Sequence, residues 1–71
     1  MNKAEHEKNI GKRCKVISSV KAGLTGKEAI IVAVHGPEIQ DLRYEIKLDT
    51  PIFEFETKTD YYPPVFMVEI L

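Results

Sequence analysis

The sequence predicts an all-β fold, a small five-stranded antiparallel barrel preceded by a flexible N-terminal tail. Three observations carry this. Two β-branched runs, Arg13-Cys14-Lys15-Val16-Ile17 and Ala29-Ile30-Ile31-Val32-Ala33-Val34, flank Gly23-Leu24-Thr25-Gly26, a tight reversal in which at least one glycine needs positive φ. Leu42, Tyr44, Ile46 and Leu48 alternate with Asp41, Arg43, Glu45, Lys47 and Asp49, the period of a strand with one wet face. No stretch shows sustained helical periodicity.

Seventy-one residues make one domain. A chain of this length buries only about 60% of its unfolded surface, so its core is small. With 44% apolar residues and mixed charges it has enough to bury to fold over most of its length. Cys14 is the single cysteine, which excludes an intramolecular disulfide and fits a reducing compartment. The first eight residues include several charges and no apolar h-region, so no signal peptide is read. The longest uncharged apolar run, Ala29 to Val34, is too short to span a bilayer. The expectation is a cytoplasmic chain without a membrane segment.

Residues 1–9 are polar and read as the tail, leaving 10–71 as the barrel. Ile10 is a candidate first anchor and Gly11 lets the chain turn. Strand one covers about Lys12 to Ser18, with Cys14 and Val16 facing inward. In the loop from Ser19 to Gly26, Val20 and Leu24 are the residues expected to face the core. Strand two, about Glu28 to Val34, is apolar on both faces. It reads as central or covered by a loop, and its inward face is left open. The break at His35-Gly36-Pro37-Glu38 ends it, and strand three follows over the alternating run.

Asp49-Thr50-Pro51 turns the chain. Phe53 and Phe55 alternate with Glu54 and Glu56 as a short strand four, and Thr57 to Asp60 forms a polar loop. Tyr61-Tyr62-Pro63-Pro64 is extended, because a proline pushes its predecessor out of the α region. Val65 to Leu71 is strand five, with Phe66, Val68 and Ile70 on one face. The core expected from these faces is Cys14, Val16, Leu24, Ile31, Tyr44, Ile46, Leu48 and Phe66. Five short strands hide their edges most readily by closing into a barrel.

Gly11 to Ser18, the Gly23-Leu24-Thr25-Gly26-Lys27 turn and the apolar run to Val34 together resemble a KOW-type element. The whole chain looks like an SH3-like barrel of the kind found in translation proteins. That resemblance implies binding to RNA, ribosomes or RNA polymerase. Length and sequence are also similar to those of small prophage-encoded proteins.

No catalytic constellation is read. Cys14, His6 and His35 are the only nucleophile and base candidates, and none is arranged with a partner by the sequence. One cysteine and two scattered histidines fall short of a zinc site, and Glu54 with Glu56 reads as solvated charge, so no metal or cofactor is expected. Two surfaces remain. Lys12, Arg13, Lys15, Lys21 and Lys27 surround the first hairpin and are the candidate nucleic-acid contacts. Tyr61, Tyr62, Pro63 and Pro64 are the candidate protein contacts.

Charge decides between them. Residues 1–27 carry seven cations against two carboxylates, a net +5, and residues 28–71 carry three against nine, a net −6. The total is −1, whereas nucleic-acid modules are usually strongly basic. In a compact barrel the two halves interleave and their charges pair. The expectation is a monomeric, non-catalytic binding module with a protein partner, for example a host or phage assembly component. RNA or DNA binding through the first hairpin is the alternative.

Overall fold

The computed structural model describes residues 3–19, 21, 23–36, 41–53 and 55–71. A short helix α1 (Lys3–Glu7) precedes β1 (Arg13–Val16), β2 (Glu28–His35), β3 (Arg43–Leu48), β4 (Asp60–Tyr61) and β5 (Val68–Ile70). All strand pairings are antiparallel, in the order β4-β3-β2-β1-β5. The protein is therefore all-β, a single five-stranded sheet. In a flat sheet β4 and β5 would lie about 19 Å apart, four spacings of about 4.8 Å. Yet Tyr61 of β4 and Met67, next to β5, line one groove. The sheet is curled toward a barrel, its inner face wrapped around the core.

Local chemistry explains the elements. Gly23 and Gly26 both have positive φ, +83° and +88°, and close the turn between β1 and β2. The Gly26 amide donates to the Val16 carbonyl at 2.7 Å, and the Val16 amide donates to Lys27 at 3.0 Å, so the ladder runs straight into the reversal. β3 alternates as its sequence predicts, with Tyr44, Ile46 and Leu48 inward. The core also takes Cys14, Val16, Leu24, Ala29, Ile31, Val34, Leu42, Tyr61 and Val68. Ile31 and Ile46 are fully enclosed, each burial contributing roughly 1.5–3 kcal/mol.

β2 settles the face left open by the sequence. Ala29 and Ile31 point inward, whereas Ile30 and Val32 stay more than one-third exposed, so the strand is covered on one side only. A bulge then shifts the register: Ile31 pairs with Ile46, but Ala33 pairs with Glu45 and Val34 with Tyr44. Two residues thus oppose one, which returns Val34 to the core and sends His35 outward opposite Arg43.

Five expectations are corrected. The segment read as tail holds α1, packed on β2, and His6 is only 7% exposed. Its Nδ1 lies 2.9 Å from the Tyr44 hydroxyl, which also accepts a 2.8 Å hydrogen bond from Asn9 Nδ2. Strand four is Asp60–Tyr61, not the Phe53–Phe55 stretch, whose rings stack on each other at 5.8 Å outside the sheet. Strand five begins only at Val68, because Val65–Met67 is a 3₁₀ turn. That turn changes the side-chain period from two to three and leaves Phe66 66% exposed rather than in the core. Ile10 is likewise exposed rather than an anchor. The expectations for Val20, Pro37, Glu38 and Glu54 lie outside the described residues.

Candidate functional site

The Tyr61-Tyr62-Pro63-Pro64 segment is held by β3. The Tyr44 amide donates to the Pro63 carbonyl at 3.0 Å, the Val65 amide donates to Leu42 at 3.2 Å, and Pro64 bridges to Arg43. Two prolines in succession keep this segment extended, with Pro64 at φ −56°, ψ 146°. Tyr61 points inward from β4 opposite Ile46, while Lys58 Nζ sits 4.8 Å from the centre of its ring. Its enclosed hydroxyl has no hydrogen-bond partner among the described residues. Tyr62 is 51% exposed, its ring edge-on to His35 at 5.7 Å, and its carbonyl accepts from Arg43 Nη1 at 2.9 Å.

These residues form one side of a groove of about 440 Å³. Leu24, Met67, Ser18, Ser19 and Lys21 also line it. The Ile17 amide donates to the Met67 carbonyl at 2.9 Å, which ties the end of β1 to the 3₁₀ turn and brings Met67 alongside the first loop. A volume of this order accommodates a few side chains, and the lining is apolar with a few polar groups, the usual composition of a ligand site.

The five cations of the first hairpin do not come together. Lys21 joins the aromatic groove. Arg13 is engaged by carboxylates: Nη2 lies 2.8 Å from Asp49 Oδ2 and 3.6 Å from Glu28. The Asp49 hydrogen bond holds the Arg13 pKa above its ordinary value, and the same contact with Arg13 lowers that of Asp49. Lys15 lies in register between Glu28 on one neighbouring strand and Glu69 on the other, two carboxylate positions against one cation. Lys27 lines a second cleft of about 320 Å³ beside Arg13, Glu28 and Asp49. Lys12 is exposed at the start of β1.

The sequence places Tyr61, Tyr62, Pro63 and Pro64 on one candidate surface and Lys21 on another, and the curled sheet unites them. Sequence reasoning missed Arg43, Met67, Ser18 and Ser19. Arg43 was legible as an outward position of β3, but nothing in the sequence says that Tyr62 lies beside it.

The chemistry available elsewhere is limited. Cys14 is fully enclosed, and burial pushes its thiol pKa up, so it presents no accessible thiolate. His35 Nε2 lies 2.8 Å from Glu45 Oε1 at the surface, and His6 is committed to Tyr44. Among the described residues no three His, Cys, Asp or Glu side chains gather as a metal site. No helix among them is long and apolar enough to cross a membrane. No protein-family model, curated protein or solved structure matches this chain.

Proposed function

We propose that this chain is a non-catalytic binding module, an SH3-like barrel with a KOW-type element and of prophage origin, that engages a protein partner. The contact surface is the groove between the first loop and the Tyr61–Pro64 segment, next to β4, an edge strand of the sheet. The observation that supports this is the groove itself. It collects Leu24, Tyr62, Pro63, Pro64 and Met67 into one concave apolar surface that the chain does not fill with its own described side chains. Tyrosine and methionine present large area at little ordering cost, which suits a segment of another chain. The hairpin cations support the nucleic-acid alternative less well, because Arg13 is already paired with Asp49 and Glu28.

Selection from a displayed library of random peptides tests the proposal. Selected peptides should move the amide signals of Tyr61, Tyr62 and Met67, and Tyr62→Ala should weaken them about tenfold, or ~1.4 kcal/mol. The proposal fails if no peptide binds and mixed oligonucleotides instead shift Lys12, Arg13, Lys15, Lys21 and Lys27 with a steep salt dependence.

A further inference from the structure

We infer that the groove accepts an acidic, aromatic-bearing extended segment of its protein partner. This rests on the groove being the partner surface and adds the chemistry of the occupant. The argument is charge complementarity. Both charged residues that line the groove, Lys21 and Arg43, are cations. No carboxylate of the described residues forms an ion pair with either, although Arg13 pairs with two. Arg43 spends Nη1 on the Tyr62 carbonyl, which fixes the guanidinium at the rim and leaves its other N–H groups for a carboxylate. The groove lining thus holds two cations and no carboxylate.

The rest of the lining sets the second requirement. Leu24, Met67, Pro63 and Pro64 make an apolar trough, and the half-exposed Tyr62 ring offers a face for an aromatic side chain. Tyr61 closes the inner side of the groove, and its hydroxyl is buried without a partner among the described residues. A nucleic-acid strand shares the aromatic and anionic character but carries one charge per nucleotide and needs a continuous basic track. Two cations at an apolar trough do not make one, and the neighbouring positions of Lys15 are Glu28 and Glu69. A peptide with one or two carboxylates beside an aromatic ring matches the lining better.

The test is amide-signal mapping of the full chain at low salt with four probes. These are a capped Phe-Glu-Phe-Glu peptide, its glutamine counterpart, its lysine counterpart and oligothymidine. The acidic peptide should move Lys21, Leu24, Arg43, Tyr62 and Met67 together. It should bind about fivefold or more tightly than the glutamine peptide, the scale of one or two exposed ion pairs. The lysine peptide should bind most weakly. Lys21→Gln, at an exposed side chain outside the core, should narrow the gap between the acidic and glutamine peptides while leaving the distant amide signals in place. Equal binding of the glutamine peptide in the groove overturns the acidic preference but leaves the peptide-binding reading intact. Oligothymidine in the groove with no response to any peptide, or no response to any probe, overturns both.

Discussion

Removing one oxygen atom from the core should release the N-terminal helix. In Tyr44→Phe the ring stays buried, but the hydroxyl that accepts from Asn9 at 2.8 Å and meets His6 Nδ1 at 2.9 Å is gone. Asn9, partly exposed, can turn to water. His6 is almost fully enclosed and cannot do so without leaving the core. A lost hydrogen bond costs about 0.5–1.5 kcal/mol and a stranded buried group about 1–3 kcal/mol, so the net loss is roughly 1–3 kcal/mol. In a domain of this size each kcal/mol lowers Tm by about 4–8 °C. The five residues of α1 are too few to stay helical alone, so they should come free first. Thermal denaturation gives the stability, and amide exchange of residues 3–10 reports the helix. In a cycle with His6→Ala, the two losses should be strongly sub-additive. If Tyr44→Phe melts within about 1 °C of the parent and the helix amides keep their protection, the hydroxyl is not the fastener.

Other outcomes follow from the same structure. Gly26→Val has open space around its new Cβ but keeps φ at +88°, so it should lose roughly 1–3 kcal/mol in urea titration. Gly36→Val should lose more or fail to fold, because its φ is +112° and a Cβ would lie 2.5 Å from the Asp41 carbonyl oxygen. The Cys14 thiol should react with a thiol reagent only at the rate of unfolding. Its pKa is raised by burial, so its contribution to stability is complete below the ordinary thiol value of about 8.5 and falls as pH rises beyond it. Cys14→Ala should flatten that alkaline slope in pH-dependent melting. Phe66→Ser should melt like the parent, whereas Val68→Ser, two residues on and buried, should be clearly destabilised in the same assay.

The parts of the fold that could be read were those in which one physical signal acted locally. β3 has one wet face, and its alternation placed Tyr44, Ile46 and Leu48 correctly. The Gly23 and Gly26 turn was legible because only glycine takes those angles cheaply. β2 was not, since a run apolar on both faces has no phase and so conceals a bulge. α1 was invisible for a different reason. It has no periodicity of its own, and its fastening point is Tyr44, 38 positions from His6. Phe66 looked inward because alternation was carried through a 3₁₀ turn in which the period is three. At the candidate site the chemistry of Tyr61–Pro64 and of Lys21 could be read, but their meeting depends on how the whole sheet curls.

The bulge in β2 separates the length of that strand from the direction of its side chains. Deleting either Val32 or Ala33 leaves one residue opposite Glu45, with Ile31 still facing Ile46 and Val34 still facing Tyr44. Deleting Ile30 instead would turn Ala29 to solvent or Ile31 out of the core, because side chains alternate strictly on that side. This strand therefore contains a position where the chain can lose a residue without rewriting its interior, flanked by positions where it cannot. A natural variant one residue shorter is compatible with the same core if its gap falls at 32 or 33. Its sheet would be flatter there, since the extra residue supplies local twist.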